Sequence, residues 1–283
     1  MLTRKNQKLG NTIYMFNLPA RLTCPVISRV CSVICYASRG RFHHSNVKRA
    51  LAKNYAAVRR GDFVARINAQ LLTESARIVR IHGAGDFFNL TYIHLWRKIA
   101  RANRHIIFYA YTRAWKKQQL LPALIALGQE RNVRLWWSTD RSMPEPPRTP
   151  GIRIGWLATS DDDVPPYPVD MVFRDRPRTR MKFMEGYQVC PYEQMVPERK
   201  FRITCDRCGI CYKPEREKHA GSGTGASQEG HRRTARHLRA KSRRHGRRNA
   251  SDYSEGSRFS RRKRSRNALA KTSRRRRNAV GHQ

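Results

Sequence analysis

Three cysteines fall within one short stretch near the start of the chain, Cys24-Pro-Val-Ile-Ser-Arg-Val-Cys31-Ser-Val-Ile-Cys35-Tyr-Ala. If Val30 to Ala37 opens a helix, Cys31 and Cys35 share one face, a turn apart, and Cys24 folds back from the loop before it. Three thiolates then aim at one point, one ligand short of a closed tetrahedral zinc or a fully ligated cluster. Such a site either borrows a ligand, with His43 and His44 at hand, or keeps a metal position open for chemistry. The second group is Cys190-Pro followed by Cys205-Asp-Arg-Cys208-Gly-Ile-Cys211. Two overlapping C-x₂-C steps gather three thiolates in one tight loop, as in bacterial ferredoxin runs, and a remote cysteine before proline completes a set of four. Four thiolates also suit structural zinc. Both metals take soft sulfur donors, so iron–sulfur and zinc stay open at this point.

Other reactive residue types close apolar segments. His82-Gly83-Ala-Gly85-Asp86 follows a β-branched run; the glycines admit a ligand close to the backbone, and Asp86 offers a partner for an ammonium. His82 is a candidate proton carrier, and Arg113, ending Tyr111-Thr-Arg113, a candidate partner for a carboxylate or phosphate. Ser138-Thr-Asp140 and Thr159-Ser-Asp161 are further polar endings, with Ser138 a candidate for cofactor contact. Trp136, Trp137 and Trp156 read as core and rim, and Asp161-Asp-Asp163 as a solvated acidic loop. No Gly-rich phosphate loop, nucleophilic serine elbow or His-Glu-x-x-His occurs.

The elements that must position these residues alternate. Thr12-Ile-Tyr-Met-Phe reads as a strand, and 46–72 as helix broken near Gly61. Arg77 to Gly83 reads as a strand, Leu90 to Ala102 as an amphipathic helix, His105 to Arg113 as a strand, and Lys117 to Arg131 as a helix. Val133 to Asp140 opens a third unit, and after a Pro-rich link Ile152 to Ser160 and Val169 to Arg174 are two more strands. The alternation predicts an α/β fold, a partial (β/α) barrel-like parallel sheet, with a flat doubly wound sheet as the other arrangement. In either, the polar endings gather on the rim at the carboxyl ends of the strands. The predicted organisation is 1–180 for the partial barrel, 181–212 for a Cys-rich extension with four metal ligands, and 213–283 for a disordered basic tail.

With these residues in view the chain resembles the phage gene-product-88 family, a group of unassigned function. The likeness lies in Thr23-Cys-Pro…Cys31…Cys35-Tyr-Ala, Arg80-Ile-His82-Gly-Ala-Gly-Asp86-Phe, Tyr92…Trp96, Phe108-Tyr-Ala-Tyr-Thr-Arg113 and the later Cys-rich loop. A second resemblance is to the radical S-adenosylmethionine (SAM) enzymes. It implies a partial barrel whose first strand leads to a three-cysteine loop holding a [4Fe–4S] cluster, with SAM on the open iron. It also implies a glycine-rich turn after the second strand that binds the SAM amino group, a role that falls to Gly83, Gly85 and Asp86. The spacing here is C-x₆-C-x₃-C, against the usual C-x₃-C-x₂-C of those enzymes.

A net charge of +39 predicts attraction to polyanions. Roughly half of that excess lies in 213–283, which is rich in Arg, Ser and His and poor in large apolar residues. It reads as a polycation that binds nucleic acid without sequence preference. No secretory signal and no run of apolar residues long enough to span a bilayer is present, so no membrane association and a cytoplasmic location are expected, the host-cell cytoplasm if the chain is phage-encoded. Seven cysteines in a reducing compartment read as metal ligands. The expected function is that of an iron–sulfur, radical-SAM-like enzyme of unread substrate, with one or two [4Fe–4S] clusters. The alternative is a non-enzymatic zinc- and nucleic-acid-binding protein.

Overall fold

Short β-branched and aromatic runs build a sheet whose strands are β1 (Ile13–Phe16), β2 (Ile78–Ile81), β3 (Ile107–Thr112), β4 (Val133–Thr139), β5 (Arg153–Ala158) and β6 (Met171–Arg174). The computed structural model describes residues 1–175, 186–193 and 203–214, all within the unit Met1–Lys218. Every strand pairs parallel with its neighbour in sequence, in the order β1-β2-β3-β4-β5-β6. A doubly wound sheet reverses its order at a switch point. This one never reverses, so its crossovers all turn the same way and the sheet curls into a half-barrel.

The helices are α1 (Arg29–Ile34), α2 (Ser45–Val58), α3 (Phe63–Thr73), α4 (Leu90–Ala102), α5 (Leu121–Gly128) and the single turn α6 (Cys205–Cys208). In α4, Asn89 caps the first turn by accepting from the Tyr92 amide at 2.8 Å, and Tyr92, Ile93, Trp96, Ile99 and Ala100 form one buried stripe. That stripe packs with Ile67 and Leu71 of α3, Leu124 and Leu127 of α5, and the strand residues Phe16, Val79, Ile81, Phe108, Leu135 and Trp137. Alternate strand residues point the other way. Ile13 and Tyr109 meet Leu9 and Tyr212, while Trp136 and Met171 meet Cys190, Ile210 and Cys211. The concave face is therefore roofed by the cysteine-rich extension, which explains why the strands are apolar on both faces.

The Pro-rich link breaks the alternation as expected, and no helix lies between β4 and β5 or between β5 and β6. Two expectations need correction. The first helix spans Arg29–Ile34 and stops before Cys35, whose backbone has left the helical region (φ −53°, ψ 110°); its β-branched residues hold a helix weakly, and a 3₁₀ turn, Tyr36–Ser38, follows. The acidic loop is not simply solvated: Asp163 is buried and accepts from the Thr159 amide and hydroxyl at 2.8 and 2.9 Å. Trp136, Trp137 and Trp156 are core residues. The expected disorder of 213–283 concerns residues that, apart from Lys213 and Pro214, lie outside the described ones. Among the described residues no helix is long and apolar enough to cross a membrane.

Candidate metal centre

The three-cysteine loop is seated on the turn that closes β2. The Leu18 amide donates to Ala84 O at 2.9 Å, the Asp86 amide to Thr23 O at 3.0 Å, and Asn17 Oδ1 accepts from the Gly83 and Ala84 amides at 2.8 and 2.9 Å. Tyr36 donates its hydroxyl to Gly83 O from the far side of the loop. Gly85 has φ +84°, and a Cβ there would sit 2.6 Å from Leu18 Cβ and from Thr23 Oγ1. The glycines thus admit the loop itself, and the approach reserved for a ligand in the sequence reading is occupied by β1 and its extension.

A second anchor comes from the ends of β3 and β4. Ser28 caps α1 by accepting from the Cys31 amide at 2.9 Å and donates to Asp140, which also pairs with Arg113. Arg113 Nη1 reaches Ser28 Oγ at 3.1 Å, and Ser142 ties Asp140 to the Val30 amide. Asp86 is held just as firmly. Its Oδ1 accepts from Thr112 Oγ1 at 2.6 Å and the Phe87 amide at 2.7 Å, and its Oδ2 from the Arg113 amide at 2.9 Å. Burial lifts the Asp86 carboxyl to about 6 despite those donors. With both oxygens engaged and the turn filled, the expected contact of Gly83, Gly85 and Asp86 with a SAM amino group does not fit this arrangement; Asp86 positions the loop.

The thiols interact. Cys31 donates to the Cys35 sulfur, so Cys35 falls to about 5, helped by the Ser38 hydroxyl and the Ala37 and Ser38 amides, while Cys31, the donor, moves up. Cys24 is pushed up to about 11 by burial and by the Asp86 charge, and it also senses Cys35 and Arg113. All three lie within one electrostatic neighbourhood at the carboxyl rim of the half-barrel.

The four-cysteine group forms on the concave face. The Cys205 amide donates to Lys8 O at 2.9 Å and the Asp206 amide to Leu9 O at 3.1 Å, while the Asp206 carboxylate accepts from the Asn11 amide at 2.8 Å. Gly209, in the left-handed region at φ +76°, turns the chain back after α6. Trp136 Nε1 and Arg153 Nη2 both reach Cys211 O at 2.9 Å, and the Cys190 amide donates to Val172 O at 2.9 Å. Cys190, Cys205, Cys208 and Cys211 line one small cavity with Met171 and Ile210. Burial raises Cys190 to about 12 and Cys205 to about 11, and raises Cys211 too. Thiols so disposed stay protonated, and any metal they were to bind would have to displace that proton.

All seven cysteines are free thiols. Among the described residues no three His, Cys, Asp or Glu side chains are already drawn into the arrangement of a metal cage. As a donor set the two groups fit soft thiophilic metal: sulfur alone, three by three and four by four, on anchored loops.

The other candidates are placed as follows. His82 turns away from the thiols into an aromatic nest of Phe16, Phe87 and Tyr92. It bonds Tyr92 Oη at 2.7 Å and is driven down to about 3 by burial and then by the Arg80 charge, so it is a structural group and no proton carrier to the site. Ser138 contributes its carbonyl to Trp115 Nε1 at 2.9 Å. His43 bonds Ser38 O at 2.6 Å, and both His43 and His44 are exposed. Two cations were missed. Lys8 pairs with Glu193; burial works against its charge, but the Glu193 and Cys190 charges together with the Glu193 hydrogen bond outweigh it and hold Lys8 above the usual range. Arg80 lies over Tyr111 at 5.4 Å on the concave side and donates Nε–H to His82 O. A charge in the middle of Ile78-Val-Arg80-Ile was the available signal, since a strand apolar on both faces has no solvent side to receive it.

Residues 1–214 match the family described as Gene product 88. The "Gene 88 protein" of Mycobacterium phage L5 is 24% identical over 218 residues, covering 69% of this chain and 80% of the relative. That of Mycobacterium phage D29 is 25% identical over 214 residues, covering 67% and 78%. No solved structure matches.

Proposed function

The chain belongs to the gene product 88 family, and we propose that it works as an iron–sulfur enzyme organised like the radical SAM enzymes. In this reading Cys24, Cys31 and Cys35 hold a reactive [4Fe–4S] cluster, and Cys190, Cys205, Cys208 and Cys211 hold an auxiliary one. The observation that supports it is that Cys31 contacts Cys35, with Cys24 within electrostatic reach of both, Arg113 within reach of Cys24 and Cys31, and Asp86 within reach of Cys24, at the carboxyl rim. This is where parallel α/β folds place reactive groups. A three-thiolate cluster with an open iron supplies one-electron chemistry to a small chelating ligand such as SAM.

The protein's own part is positioning. Arg113 and Asp140 fix the cap of α1 and with it the Cys31 sulfur. The Cys31–Cys35 pair holds one proton between two sulfurs, and that proton would have to leave if both were to become ligands. Asp86 keeps the Cys24 arm against the β2 turn through its backbone.

Anaerobic reconstitution followed by iron and sulfide analysis, with an electron paramagnetic resonance spectrum recorded with and without SAM, tests the reading. Two clusters per chain, one of them perturbed by SAM, are expected. A colourless protein that binds zinc at both groups would refute it and leave a structural zinc protein.

A further inference from the structure

The loop that bears Cys24, Cys31 and Cys35 has an unusual surface. Among the described residues the exposed large apolar side chains are Leu22, Ile27, Val33, Tyr36, Leu72 and Leu90, and the first four belong to this loop, with Val33 74% and Tyr36 58% exposed. Residues 1–61 contain twelve Lys and Arg and no Asp or Glu. Arg21, Arg29, Arg39 and Arg41 are exposed, and none takes part in an ion pair among the described residues. The patch is knit together: Arg21 donates to Ser32 O at 3.1 Å, Arg39 to Val33 O at 3.0 Å, and the Tyr36 and Phe42 rings meet at 6.1 Å.

Exposed apolar groups at this density mark a contact surface, and the charge around them selects its partner. A second copy of so basic a face is repelled, whereas a polyanion is drawn in. Arginines interleaved with an aromatic pair match phosphates alternating with bases whose faces are free to stack, a feature of single strands. Duplex bases are closed off inside the helix, but a single strand can present a base to half-buried thiols on the same loop.

We propose that residues 21–44 form a docking surface for single-stranded nucleic acid, so that the substrate of the three-cysteine centre is a nucleotide within such a strand. The word substrate rests on the iron–sulfur reading; the docking does not.

The test uses full-length protein and fluorescence anisotropy with an oligothymidylate of about 12 nucleotides and a duplex of matched length. The basic segment beyond residue 214 attracts both through charge alone. Replacing Tyr36 and Phe42 together by Ala should weaken oligothymidylate binding about tenfold and leave duplex binding nearly unchanged. Tyr36→Phe, which keeps the ring, should bind like the parent and guards against misfolding. Ultraviolet crosslinking of the unmodified protein to a bromodeoxyuridine oligomer should map to 21–44. Crosslinks confined to 215–283, equal losses on both probes, or equal competition by polyglutamate or phosphatidylglycerol vesicles would overturn the proposal. Iron and sulfide are measured on the same samples: mapped binding without a cluster sinks only the iron–sulfur reading, and a cluster without mapped binding sinks only this one.

Discussion

Asp140 does more than end a strand. Fully buried, it neutralises Arg113 and holds Ser28, 112 residues earlier in the chain. Burial alone would raise its carboxyl, yet Arg113 and the Ser142 and Ser28 donors bring it below the usual range. Asp140→Ala leaves the Arg113 charge buried and unpaired, so a loss of about 3–5 kcal/mol is expected in urea unfolding. Cys31 should then react faster with iodoacetamide than in the parent. His82 carries a different signature. Its folded value of about 3 lies below the unfolded one, so its contribution to stability is present above about pH 6.5 and is lost as pH falls through the window from there toward 3. Asp86, raised to about 6, acts in the opposite sense between about pH 6 and 4. The clean readout is the difference between the parent and His82→Gln, which should shift against the parent by about 1.4 kcal/mol per pH unit from pH 6 to 5; a difference independent of pH would show an ordinary histidine. The contact of Cys31 with Cys35 and the shared cavity of Cys205, Cys208 and Cys211 were legible in the sequence because their spacing is local. The Asp140–Ser28 link was not, because nothing local pairs residues so far apart.

At the scale of elements, the strands were legible from their β-branched runs, and α4 from its stripe, whereas α1 was overextended: it ends at Ile34, although Cys31 and Cys35 still meet. The glycine turn was found for the wrong reason. Its openness serves the loop, so Gly85→Ala meets both a left-handed backbone and filled space. It should cost about 1–3 kcal/mol and, by iron analysis, reduce occupancy at the first site while sparing the second. Asp206→Ala makes the reciprocal case. It removes the acceptor for the Asn11 amide and should loosen α6, lowering metal content at the four-cysteine group by the same measurement with the first site intact. If both variants lose metal at both sites, the two loops fold as one unit and the division into separate centres fails.

For the whole molecule, the half-barrel has a helical side and a side roofed by the four-cysteine group, and everything the family match covers lies within residues 1–214. Deleting 219–283 should leave iron content and the thermal midpoint unchanged and should flatten the salt dependence of duplex binding, since fewer counterions are released. The roof over the concave face has one more consequence. Lys8 and Leu9 offer their carbonyls to Cys205 and Asp206, so during synthesis this segment finds its partner only after all six strands between them have been made. The three-cysteine loop can settle once Asp140 has emerged, whereas the four-cysteine pocket must wait for Cys211.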